Sequence, residues 1–157
     1  MNAQEKISNY ATLGELTKSE TALRYGIANE PNFEQKENLK EVCNHVFDKC
    51  REFVGGALAI TSGFRAPKLN AKIGGSPTSQ HMKGEALDID CQRYGNGTNA
   101  ELFNFIKDNL EFDQLIWEFG NDKEPDWLHV SYSRLHNRGN ILRAVKQGGK
   151  TIYLKLK

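Results

Sequence analysis

No apolar stretch in the 157-residue sequence approaches the ~20 residues needed to cross a bilayer, so no integral membrane segment is expected. A surplus of charge is also missing: 21 Lys and Arg face 20 Asp and Glu, for a net of +1. That balance offers neither a basic footprint for nucleic acid nor a polybasic face for a membrane. Cysteine is scarce and odd in number, with Cys43, Cys50 and Cys91 at no paired zinc-type spacing, which excludes a disulfide framework and fits reduced thiols. Internal repeats, low-complexity tracts and interdomain linkers are absent. The first residues, Met1 to Lys6, lack the basic start and apolar run of a secretory signal, so the chain is expected to be cytoplasmic as synthesised.

What is present reads as a single domain over residues 1–157, long enough to bury about two thirds of its unfolded surface. Asn32 and Gln35 form a capping-box pattern, and Leu39, Val42, Cys43, Val46, Phe47, Cys50, Phe53 and Val54 follow at helical spacing. A helix is therefore expected over 33–53, with Cys43 and Cys50 in the core. A shorter helical stretch opens at Thr17-Lys18-Ser19-Glu20 and ends near Gly26. Residues 57–61 read as a buried strand and 67–75 as a short helix and turn. Residues 86–90 read as an extended segment with Leu87 and Ile89 on one face and Asp88 and Asp90 on the other. Thr98 and Glu101 cap another helix, carrying Leu102, Phe105, Ile106 and Leu110. Strands are expected over 114–119, 127–132 and 141–145, with 151–156 closing a hairpin across Gly148-Gly149. Helices come first and an antiparallel-looking sheet follows, which defines an α+β class.

Two segments concentrate metal-type side chains. His81 and Asp88 are separated by six residues that include Gly84, enough slack for the loop to bring both side chains to one ion, and His129 would be the third ligand. Two imidazoles and a carboxylate leave a fourth tetrahedral position for water, the pattern of a catalytic rather than a structural zinc. Asp126, just before His129, could take a proton from that water. Residues three apart in a regular strand face opposite ways, so this requires the backbone to turn where the strand begins, as Pro125 permits. Asp90, Glu85 and Glu124 are the competing carboxylates. Gln114 and Glu118 are exposed or pocket-wall positions on one strand face. Trp117 and Trp127 read as core aromatics, and His45 and His136 as structural or solvated.

Four stretches, Ser62-Gly63-Phe64-Arg65, residues 79–88, Asp113-Gln114-Leu115-Ile116-Trp117-Glu118 and Asp126-Trp127-Leu128-His129, resemble the zinc D-Ala-D-Ala carboxypeptidase-type murein peptidases. That family includes vancomycin-resistance dipeptidases and phage endolysins, and the resemblance spans residues 62–132. It implies a Hedgehog-like fold, with helices packed against a central, mainly antiparallel sheet. It further implies Zn2+ held by His81, Asp88 and His129, and Asp126 as catalytic base where many relatives carry Glu. Arg65 would bind an anion, either a terminal carboxylate or a developing oxyanion. The implied activity is hydrolysis of peptidoglycan stem peptides, as a carboxypeptidase or endopeptidase. The setting it suggests is a phage-type lytic enzyme, acting as a monomer on the cell wall after release or from a virion. The rival reading is a non-catalytic wall-binding or virion structural module with the same fold. The joint presence of ligands, base and Arg65 favours the enzyme.

Overall fold

Side-chain caps start the N-terminal helices of the computed structural model, which describes residues 1–156. Thr12 and Glu15 close a capping box on α1 (Leu13–Thr17), Ser19 caps α2 (Glu20–Tyr25), and Asn32 with Gln35 closes a second box on α3 (Phe33–Val42). Left-handed Gly26 ends α2 where expected. The sequence reading began this region at Thr17 and so missed α1, although Thr12 and Glu15 carry its signal. The helix expected over 33–53 is present, but Cys43–Phe47 widens into a π-turn before α4 (Asp48–Val54) resumes. Within that turn His45 stacks on Tyr132, their ring centroids 4.4 Å apart.

The rest of the chain runs β1 (Ala59–Ser62), α5 (Pro67–Lys72), a 3-10 turn (Gln80–Lys83), β2 (Ala86–Asp90), a second 3-10 turn (Cys91–Arg93), α6 (Asn99–Asn109), β3 (Gln114–Glu118), β4 (Trp127–Ser131), β5 (Asn140–Gln147) and β6 (Lys150–Lys155). The strands form one six-stranded sheet in the order β1-β2-β4-β3-β5-β6. Every neighbouring pair is antiparallel except β3 and β5, which run parallel. The fold is thus α+β with a mixed, mainly antiparallel sheet. No helix among the described residues is long and apolar enough to cross a membrane.

Strand alternation gives the sheet two unlike faces. Leu87 and Leu115 both stand opposite Val130. Together with Ile89 and Leu128 they pack against Leu39, Val46, Phe47, Leu102 and Ile106 of the helices in one hydrophobic core. Each such side chain contributes about 1.5–3 kcal/mol on burial. The opposite face carries Asp88 across from His129 and His129 across from Ile116, and it stays open to solvent as a cleft of ≈ 1050 Å³. Trp117 packs on the core side, edge-on to Phe103. Trp127 instead lines the cleft, which corrects its reading as a core residue, while that of Trp117 is borne out. Cys43, Cys50 and Cys91 are all buried and free, and burial pushes the Cys91 thiol up to about 12.

Candidate metal centre

His81 is held from several sides. Ser79 caps the 3-10 turn by accepting from the His81 backbone N–H, and Gly84 ends the turn in the left-handed region at φ 75°. A Cβ on Gly84 would run into the Gln35 carbonyl oxygen, so only glycine lets the turn sit this close to α3. The His81 ring Nδ1 lies 2.7 Å from the Gly63 carbonyl oxygen. A carbonyl can only accept, so Nδ1 carries the hydrogen and Nε2 keeps its lone pair. Gly63 can approach because a Cβ there would strike the Leu16 carbonyl oxygen, the atom that accepts from Phe64 N–H at 2.7 Å.

The freed Nε2 is buried and has no hydrogen-bond partner among the described residues, an orphaned acceptor of the kind a metal satisfies. It lies 3.3 Å from Asp88 Oδ1, and His129 Nδ1 lies 3.2 Å from the same oxygen. Donors bound tetrahedrally to zinc at ~2.0–2.1 Å stand ~3.3 Å apart, so these two separations have the size the ion requires. His81, Asp88 and His129 each offer one ligand atom, all within 4.8 Å of one another. Burial opposes ionisation of Asp88, but the two flanking imidazoles, with His129 Nδ1 3.2 Å from Oδ1, outweigh it and hold the carboxyl well below its usual range. Asp88 is therefore ionised, as a ligand must be.

Arg65 borders this triangle, with Nη2 3.7 Å from Asp88 Oδ2. Its Nε donates to Ser62 Oγ at 3.2 Å and its Nη1 to Asn70 Oδ1 at 3.0 Å, which fixes the plane of the guanidinium at the cleft wall. Burial lowers its pKa somewhat, opposed by Asp88 and Glu118, and the group remains cationic.

Asp126 and Glu118 are placed differently from each other. Asp126 is exposed where β4 begins and does not line the cleft. Its backbone N–H donates to the Glu118 carbonyl oxygen and its own carbonyl accepts from Asn99 Nδ2, so the turn that would bring the carboxylate to the metal side does not occur. Glu118 lies on the cleft face and is only 8% exposed. Burial pushes its carboxyl up to about 7, reinforced by Asp88 and opposed by His129 and Arg65. The sequence reading had Glu118 as a pocket-wall position without a chemical role. The available signal was its shared face with Gln114 and Ile116, but β3 could be seen to lie beside His129 only once the strand order was known.

Two of the competing carboxylates are occupied elsewhere, while Glu85 lines the cleft. Asp90 caps the second 3-10 turn and accepts from Asn99, and Glu124 accepts from the Ala100 N–H. Asp113 takes two side-chain bonds from Arg138 and one from Gln80, and Arg138 holds its carboxyl below the usual range despite burial. His136 lies on the cleft rim, a position its polar sequence context did not indicate.

Two imidazoles and one carboxylate, clustered within 4.8 Å and facing the cleft, form a candidate site for a single metal ion. Residues 9–131 match the family described as Peptidase M15, and the chain belongs to that family. Its α+β architecture is the M15 peptidase fold. No curated protein matches the chain.

Proposed function

We propose that residues 1–157 act as one zinc peptidase domain that hydrolyses peptidoglycan stem peptides, as a carboxypeptidase or endopeptidase, in a phage-type lytic enzyme. The observation that carries this reading is the union, in one cleft, of the His81-Asp88-His129 triangle with a buried carboxyl at Glu118. A metal site kept only for structure has four protein ligands and no need of a nearby base. Membership of the Peptidase M15 family supports a peptide substrate, and the resemblance to murein peptidases points to wall peptides.

Bound zinc would acidify water toward a pKa of roughly 7 and polarise the scissile carbonyl. Glu118, the carboxyl on the cleft face beside His129, would accept the proton released as water attacks and deliver it to the departing amine nitrogen. We assign the base role to Glu118 rather than Asp126 because only Glu118 faces the cleft. Gly63 fixes the His81 tautomer, so the ligand geometry is set before substrate arrives. Arg65 presents a fixed cationic plane to a substrate carboxylate or to the oxygen that gains charge.

Digestion of purified muropeptides, with products identified by mass spectrometry, tests the reading and names the bond cut. Cleavage by zinc-loaded protein that stops on chelation and returns with zinc is the expected result. Metal binding without cleavage of any muropeptide would instead identify a non-catalytic module.

A further inference from the structure

The β5–β6 hairpin lies beyond residue 131, where the family match ends, yet Leu142, Lys146, Thr151 and Tyr153 form one wall of the cleft. The sheet register explains how. Glu118 pairs with Ala144 on β5, and Ala144 pairs with Tyr153 on β6, so the three side chains make a row across the cleft face. Adjacent strands lie ~4.8 Å apart, which puts the Tyr153 and Glu118 backbones about 10 Å from each other. Between them stands only the methyl of Ala144, fully buried. A phenol and a glutamate can lean together over a methyl, whereas a larger side chain would keep them apart.

Tyr153 is 56% exposed and its side chain makes no hydrogen bond to another described residue, so its hydroxyl is open to a ligand. Burial first, then the charges of Glu118 and Asp88, raise its pKa, which keeps the hydroxyl protonated and able to donate at neutral pH. Several other donors at the cleft already have partners. Arg65 spends Nε and Nη1 on Ser62 and Asn70, Gln80 donates to Asp113, and Lys146 donates to Thr151 at 2.9 Å.

We propose that Tyr153 is a catalytic residue of the peptidase reading given above, on which this inference rests. Its hydroxyl donates a hydrogen bond to the scissile carbonyl oxygen as that oxygen gains negative charge. Water forms the new C–O bond while the carbonyl electron pair moves to oxygen. When the pair returns, the C–N bond breaks and the amine leaves with the proton carried by Glu118. Tyr153 keeps its own proton throughout, so its contribution is electrostatic and is larger in the transition state than in the bound substrate.

Tyr153→Phe removes the donor and keeps the ring. Measured on a stem-peptide substrate, kcat should fall on the order of 100-fold with KM near wild type, in line with the loss of one oxyanion donor. Zinc content and melting temperature should be unchanged. A second readout is affinity for a phosphinate isostere of the scissile dipeptide, whose tetrahedral anion mimics the charged oxygen. Phosphinate binding should weaken by a factor similar to the loss in kcat/KM, while binding of the cleaved product stays the same. Wild-type kcat in Tyr153→Phe, or a rise in KM alone, would overturn the assignment. Wild-type protein that cleaves while Tyr153→Phe cleaves equally well removes only Tyr153 from the mechanism. Wild-type protein that cleaves nothing removes the peptidase reading and this inference with it.

Discussion

Glu118 and His129 lie on one face of adjacent antiparallel strands, and Ile116, two residues before Glu118, stands directly opposite His129. This makes the carboxyl and the imidazole diagonal neighbours, with backbones ~7–8 Å apart and long side chains able to converge. Glu118 is not among the three residues whose ligand atoms cluster within 4.8 Å. Its place is beside the candidate metal group rather than within it, on the same cleft face.

That placement separates two carboxylates by experiment. Glu118→Gln should lower muropeptide cleavage about 100-fold or more with zinc retained, whereas Asp126→Asn should stay within a few-fold of wild type. A wild-type rate in Glu118→Gln together with an inactive, zinc-loaded Asp126→Asn would return the role to the exposed residue.

Metal analysis of purified protein should find one zinc per chain, lost in His81→Ala. Chelation should lower the melting temperature of the wild type, since an ion held at 1,000 times its dissociation constant adds about 4 kcal/mol. Full zinc occupancy in both His81→Ala and His129→Ala would refute the ligand set.

Arg65→Lys preserves the charge but loses the planar fork anchored on Ser62 and Asn70. We expect kcat/KM to fall by at least about tenfold, corresponding to ~1.4 kcal/mol, with zinc content intact. Unchanged kinetics in Arg65→Ala would leave the guanidinium with a structural role only.

The metal-free protein should respond to pH through Glu118. Its folded carboxyl titrates near 7 against an ordinary value of 4.5, so the fold favours the neutral form. Stability from this group is complete below 4.5 and is lost as pH rises through 7, a difference of at most about 3 kcal/mol. Melting temperatures of metal-free wild type and Glu118→Gln should therefore diverge between pH 5 and 8, with the variant the more stable at pH 8. Parallel curves would show that burial at this position does not disfavour the charge.

Gly63→Ala tests the close approach beneath His81. The added methyl meets the Leu16 carbonyl oxygen, and displacing the loop costs about 1–3 kcal/mol. The same movement disturbs the Gly63 carbonyl that orients His81, so weaker zinc binding should accompany the lower melting temperature. Wild-type zinc affinity in a destabilised Gly63→Ala would uncouple the two effects.

Much of this architecture is written locally. The Asn32-Gln35 box, the Thr98 cap and the alternation of Leu87, Asp88, Ile89 and Asp90 depend on neighbours within a few residues, and all appear as expected. Lateral order is different. Nothing local says that β4 slots between β2 and β3, or that β3 and β5 run parallel, because those pairings are chosen by faces that meet only in the folded sheet. The candidate metal group of His81, Asp88 and His129 was legible because its members sit in short, distinctive segments. Glu118 and Tyr153 were not, since their chemistry comes from lateral neighbours on other strands.

The insertion of β4 between β2 and β3 also sets when the centre comes into being. Asp88 and His129 meet across 41 residues of chain, and His129 reaches its place only after β3, β4 and the earlier β2 have been brought side by side. Such non-local pairing is the slow kind of folding step, because loop-closure entropy is lost before contacts compensate it. A nascent chain that has emerged as far as β3 holds two of the three donors and no closed triangle. Metal capture at these three residues would therefore report that β2 and β4 have paired.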